Sequence, residues 1–186
     1  MKELSLNILD IAENSVKAGA TLTEICIEET PDLLTLTIRD NGCGMTEEVL
    51  RGVTDPFYTT RTTRKVGMGL PLLKLEAEQT GGSLTVTSRH EKEYPTDHGT
   101  TVCSVFHKNH IDFTPLGNVV PSITTLIQGH PDTDFLFTHI FPNYTVSLDT
   151  RELRTVLEDV PLGSYEVLKW IEEYLDEQYE SGGKTV

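Results

Sequence analysis

The segment Asp40-Asn41-Gly42-Cys43-Gly44-Met45 sets a carboxylate beside two glycines. A lone carboxylate at the end of a strand can accept a hydrogen bond from an exocyclic amino group such as that of adenine. Gly42 and Gly44 remove side chains, so a flat base can approach the backbone. Two further motifs flank this one. Ala12-Glu13-Asn14-Ser15 puts an amide oxygen on a helix, and Gly67-Met68-Gly69-Leu70 is a glycine pair that opens another. A helix N-terminus behind a glycine pair offers free N–H groups to a phosphate. Each motif is weak alone, and Asp-Asn-Gly by itself is a common turn. Their order and spacing together describe a nucleotide pocket.

The elements that must position these residues are legible from periodicity. Leu4, Ile8, Ile11, Ala12 and Ser15 fall on one face of a helix over 4–18, with Gly19 as its C-terminal stop. Asp10, Asn14 and Lys17 share a second face, which carries an acid, an amide and a cation. Segments 21–29 and 33–39 alternate as strands around Thr30-Pro31-Asp32, and the second delivers Asp40 to the sheet's end. Thr46 opens a short helix, with Glu47 and Glu48 in its first turn. Residues 53–66 are polar, without hydrophobic period, and read as a lid. Its cations Arg61, Arg64 and Lys65 are placed to face a triphosphate. Gly67-Met68-Gly69-Leu70-Pro71 starts a helix to about Thr80, and strands follow at about 83–89 and 101–107. Gly99-Thr100-Thr101 sets small residues and hydroxyls where the last strand begins.

Residues 115–186 have a different texture. Gly117–Gln128 is a helix candidate, 134–140 and 144–148 form a hairpin, and Asp149 or Thr150 caps a helix to about Glu158. Gly163-Ser164 begins an acidic amphipathic helix with Val167, Leu168, Ile171, Tyr174 and Leu175 on one face. The last six residues are expected to fray. The division is 1–112 as a nucleotide-binding domain and 113–186 as a hairpin-plus-helices segment of unassigned role.

Composition narrows the function classes. The chain has 186 residues, a net charge of -14 and three cysteines at wide spacings. The acidic balance makes nucleic acid an unfavoured partner, since phosphate contacts need a basic face. No apolar run approaches the ~20 residues that span a bilayer, and no secretory signal precedes the first helix. An odd number of dispersed cysteines fits a reducing cytoplasm, without a disulfide framework or zinc site. Cys43 reads as a small filler between two glycines, with a pocket thiol as the alternative.

Asn14, the Asp40–Gly44 segment, Gly67-Met68-Gly69-Leu70 and Gly99-Thr100 resemble the N, G1, G2 and final-strand motifs of the GHKL ATPases. That superfamily comprises gyrase, the heat-shock-90 chaperones, histidine kinases and MutL-type repair proteins. Asp55-Pro56-Phe57-Tyr58-Thr59-Thr60-Arg61 is most similar to the F box and lid of sensor histidine kinases, while residues 13–21 look more like MutL. The resemblance covers about residues 4–108. It implies a Bergerat ATP-binding fold: an α/β (α+β) two-layer sandwich, a mixed β-sheet covered by helices on one face, here with a small α/β C-terminal appendage. It also implies ATP and Mg²⁺ as ligands. By position, Asn14 holds Mg²⁺ and Asp40 binds the adenine amino group. Thr100 supports that contact, Gly42 and Gly44 line the base, and Met45 belongs to the same nucleotide-binding set. Gly67, Gly69 and Leu70 offer backbone N–H groups to the phosphates. Lys17 and the lid cations Arg61, Arg64 and Lys65 complete the set.

Two departures matter. Members that hydrolyse ATP carry a glutamate four residues before the N-box asparagine. Here that position is Asp10, one methylene shorter, and a misplacement of ~1 Å can cost on the order of 100-fold in rate. Asp10 is therefore a candidate general base in a slow reaction. About a dozen residues precede Asn14, so a phosphoacceptor hairpin is not expected, and none of the six histidines lies in a helical acceptor pattern. The leading expectation is a stand-alone kinase-like domain of histidine or serine type that transfers phosphoryl to a partner protein in signalling. The alternatives are a slow MutL-type ATPase switch and a non-catalytic module that senses ATP and ADP. The expected partner is a phosphoacceptor or regulated protein, and a homodimer is the other candidate assembly.

Overall fold

Residues 3–54 and 68–183 are described by the computed structural model. The chain begins with α1 (Leu4–Lys17), whose buried residues include the five expected from 3–4 spacing, Leu4, Ile8, Ile11, Ala12 and Ser15, and also the polar Ser5 and Asn7. Next come β1 (Leu22–Glu29), β2 (Leu33–Asp40), α2 (Glu47–Gly52) and α3 (Gly69–Gln79), then β3 (Ser83–Arg89) and β4 (Gly99–His107). The C-terminal part holds α4 (Val120–Gly129), β5 (Asp134–Ile140), β6 (Thr145–Asp149), α5 (Thr150–Leu157) and α6 (Tyr165–Gly183).

The six strands form one mixed sheet in the order β3-β4-β2-β1-β5-β6. β1 and β5 pair in parallel, and every other neighbouring pair is antiparallel. Side chains alternate across a sheet with period two. The inward set therefore reads Ile25 and Ile27 on β1, Leu34, Leu36 and Ile38 on β2, Val102 and Phe106 on β4, and Phe135 and Phe137 on β5, all buried. α1, α3, α4 and α6 pack against these strands and against one another. Each such buried side chain contributes roughly 1.5–3 kcal/mol. The other face carries a row in register, Thr85-Cys103-Thr37-Cys26-Thr138-Ser147, which is partly or fully exposed. The result is an α/β sandwich with one face covered, as the sequence predicts.

Residues 113–183 share this sheet and core, because β5 hydrogen-bonds directly to β1. Three boundaries differ from expectation. α4 starts at Val120 rather than Gly117, since Gly117 sits at φ +73° and Asn118 Oδ1 accepts from the Val120 N–H. β4 starts at Gly99, which lies against the Asp40 carbonyl. Of the six residues expected to fray, 181–183 stay in α6, where Gly182 is pressed onto the Tyr144 ring, and 184–186 lie outside the described residues.

Candidate functional site

The site forms where α1, the end of β2, the start of β4 and the N-terminus of α3 meet. Asp40 is the last residue of β2, and its carboxylate is held from three sides. Oδ1 accepts from the Gly42 N–H at 2.9 Å and the Thr100 N–H at 3.2 Å. Oδ2 accepts from Ser15 Oγ at 2.8 Å. A carboxylate offers about four lone-pair sites, so Oδ2 keeps one acceptor site with a fixed direction. Asn41 ties the loop to the start of β1: its Oδ1 accepts from the Thr21 and Leu22 N–H groups at 2.9 and 3.0 Å. The Cys43 N–H donates to the Ala18 carbonyl, which brings α1's C-terminus onto the loop.

The glycines act by close approach. A Cβ on Gly42 would lie 2.9 Å from the Ala18 oxygen. Gly44 has φ +67°, and a Cβ there would collide with the Arg89 carbonyl. No other residue type fits either place without moving backbone. Met45 is half-buried, and its N–H donates to Ser88 Oγ at 2.8 Å. Ser88 also bonds Thr100 Oγ1 at 2.9 Å and the Gly99 carbonyl at 3.1 Å. Thr100 therefore supports Asp40 through its backbone N–H, while its hydroxyl is engaged with Ser88.

Asp10 and Asn14 lie one helical turn apart on α1. Asp10 is exposed and Asn14 half-buried, and neither side chain has a hydrogen-bond partner among the described residues. A Cβ on Gly69 would sit 3.3 Å from Asp10 Cβ and 3.7 Å from its Oδ2. The acid thus stands over the first turn of α3. The N–H groups of Gly69 and Leu70 have no helical carbonyl behind them, while the Leu70 side chain is buried in the core. Lys17 is exposed, with its ammonium 3.9 Å from Glu13. Glu13 in turn reaches His130 Nε2 at 2.8 Å. Arg61, Arg64, Lys65 and Gly67 lie outside the described residues.

Sequence reasoning assigns no role to Ser15, Asn41, Ser88 or His98. Ser15 carries a weak signal, because it follows Ile11 by four and so shares α1's inner face. Ser88 and His98 carry none. Ser88 acts across the β3–β4 ladder, and His98 Nδ1 lies 2.6 Å from the Gly42 carbonyl, 56 positions away.

The family profile for histidine kinase-, DNA gyrase B- and HSP90-like ATPases matches residues 2–110, and this chain belongs to that family. Among curated relatives, sensor protein SrrB of Staphylococcus aureus is 35% identical over 94 residues, 47% of this chain and 16% of that protein. A putative sensor protein of Shewanella frigidimarina is 29% identical over 91 residues, 47% of this chain and 14% of the relative. The chain thus spans about a sixth of the length of these relatives. Among solved structures, the N-terminal domain of a DNA repair protein superposes with a TM-score of 0.52 at 18% identity, over 80% of this chain and 53% of that one. That likeness concerns the fold, and it covers more of the chain than the family match does. Residues 2–110 are a kinase-like ATPase-family domain. Among the described residues, no helix is long and apolar enough to cross a membrane.

Proposed function

We propose that the chain binds Mg²⁺·ATP at this site and transfers the terminal phosphoryl group to a partner protein. The observation that carries the reading is the fixed acceptor on Asp40 Oδ2, beside Asp10 and Asn14, which have no partner among the described residues, with Asp10 standing over the first turn of α3. Adenine's amino group donates to Asp40. The N–H groups of Gly69 and Leu70 receive phosphate oxygens. Asn14 presents an amide oxygen for Mg²⁺, a hard cation that takes oxygen ligands. The metal's contribution is neutralisation of phosphate charge. Positioning and electrostatics supply most of the catalysis in such transfers. The bond from the terminal phosphorus to the ADP oxygen breaks, a new bond to the acceptor forms, and the acceptor's proton leaves to a base. Lys17 and the lid residues Arg61, Arg64, Lys65 and Gly67 complete the phosphate end of this reading. A cytoplasmic location suits both the ATP supply and three free cysteines.

A second reading, a slow ATPase switch, rests on Asp10 standing over Gly69, where it could take the proton of an attacking water. The experiment follows ATP labelled at the terminal phosphorus, with and without candidate partners. Label on a partner, retained in Asp10→Asn, supports transfer. Phosphate release without partner, abolished in Asp10→Asn, supports the switch. No label on any partner and no release would leave neither reaction standing.

A further inference from the structure

A cavity of about 350 Å³ lies at the other end of β1. Seven residue steps separate Leu22 from Glu29, roughly 23 Å at ~3.3 Å each. The cavity is therefore a separate place from the cleft at Asp40. Its polar lining is Glu29 from β1, His139 from β5, Asn118 before α4, and Asp176 and Tyr179 from α6.

The hydrogen positions here follow from the chemistry. His139 is 2% exposed. Its Nε2 lies 3.2 Å from Glu29 Oε1, and its Nδ1 lies 2.9 Å from the Tyr179 hydroxyl. Glu29 Oε2 also receives Lys108 Nζ at 2.5 Å. The hydrogen bond from His139 and the Lys108 cation hold the Glu29 carboxyl down to about 2, so it is ionised and can only accept. Nε2 of His139 then carries a hydrogen, and its Nδ1 shares a hydrogen bond with the Tyr179 hydroxyl. Burial, with the negative field of neighbouring Tyr144, Glu29 and Asp176, pushes the Tyr179 phenol well above the ordinary tyrosine range. Its oxygen stays protonated, and whichever partner donates to the other, it keeps at least one lone pair free.

The wall is thus rich in acceptors. Glu29 uses two of its roughly four lone-pair sites. Asp176 has no hydrogen bond or ion pair among the described residues. Asn118 Oδ1 is committed to the Val120 N–H. An aromatic ligand has no ring to stack on at Phe141, because His139 covers one approach at 4.0 Å and Tyr144 another at 4.3 Å. Leu116 and Val119 give the remaining wall an aliphatic character. The matching group is compact, cationic and rich in N–H donors. A primary ammonium, with three donors, meets that description.

We propose that this cavity binds a small aliphatic primary amine, its ammonium received by Glu29, Asp176 and the Tyr179 oxygen and its chain lying along Leu116 and Val119. The inference is independent of the nucleotide reading. A free alkylamine and an α-amino acid share the ammonium, and the test separates them. The full chain, without nucleotide, is titrated with n-pentylamine, norleucine and 1-pentanol while the histidine ring C–H resonances are followed by NMR. Saturable shifts of a histidine resonance with pentylamine are expected, weakened on the order of tenfold in Asp176→Asn, which removes a charge-assisted contact. Asp176 is a surface residue, so that variant keeps its fold. Equal saturation by norleucine assigns the site to amino acids, and selectivity for pentylamine assigns it to free amines. The proposal is overturned by absence of saturation with both amines, by an equal response to 1-pentanol, or by unchanged affinity in Asp176→Asn.

Discussion

The two ends of β1 handle polar groups in opposite ways. At the Asp40 end, Asp10 and Asn14 have no partners among the described residues, and the walls are backbone brought close by Gly42 and Gly44. At the Glu29 end, a carboxylate, an imidazole, a phenol and an ammonium are joined in one chain of hydrogen bonds under cover of α6. A polar group left unpaired at an exposed site costs little, because water solvates it until a ligand arrives. The same group under a helix must be paired within the protein, since burial without a partner costs several kcal/mol. The first arrangement makes binding sensitive to mutation and leaves stability largely alone. In the second, the paired groups also hold the fold together, so substitution of Glu29 is felt in stability.

The sharpest way to break this comparison is at Glu29. Glu29→Gln removes the charge that Lys108 and His139 face, and a loss of about 3 kcal/mol is expected at neutral pH. The pH dependence has a definite sign. The folded value near 2 lies below the ordinary 4.5. The paired carboxylate therefore stabilises the fold fully above about pH 4.5, and that contribution fades as the pH falls toward 2. The linked free energy is about 3 kcal/mol. Urea unfolding from pH 6 to pH 2 should show this acid loss in the wild type and a flatter profile in the variant. An identical pH profile in both would remove the stabilising role.

At the other end, Asp40→Asn can keep all three of its contacts. Oδ1 still accepts from Gly42 and Thr100, and the new amide donates to Ser15. What disappears is the spare acceptor. Affinity for Mg·ADP should fall on the order of 30- to 100-fold by calorimetry, with stability changed by less than about 1 kcal/mol. If affinity is retained, adenine does not read Asp40. Asn14→Ala is a milder test. Its amide has no partner among the described residues, so the melting temperature should hold. Nucleotide affinity should drop about tenfold in the presence of Mg²⁺ and far less in its absence. Equal losses with and without the metal would separate Asn14 from metal binding.

The smallest effect belongs to a residue outside both ends. Thr46 caps α2, with Oγ1 accepting from the Val49 N–H. Thr46→Ala should cost about 1 kcal/mol or less in denaturant unfolding and leave nucleotide affinity unchanged. A large affinity loss there would tie α2 to the pocket and blur the division between binding and stability.

Much of the Asp40 end is legible in the amino-acid sequence alone. Asp40, Asn14 and the glycines lie in short contiguous motifs, and local sequence dictates strand ends, turns and helix faces. The strands of both halves lie within one or two residues of their predicted bounds for the same reason, since period-two alternation is a local property. The supports of Asp40 are less visible. Ser15 lies 25 positions away, Thr100 60 positions away, and Ser88 acts only through the β3–β4 register.

Residues 113–186 show the limit of local reading most plainly. Their helices and hairpin can be read as elements, but their joining to β1 cannot, because β pairing between positions 22 and 134 leaves no periodic trace. The sequence by itself determined the elements, the covered face of the sheet and the residue types gathered at the Asp40 end. Tertiary structure alone decided that Glu29, His139 and Tyr179 meet. They stand 110 and 40 positions apart, on two strands and a helix, and no spacing rule links them. Local pattern encodes which way a side chain faces along its own element, and only packing decides what it faces.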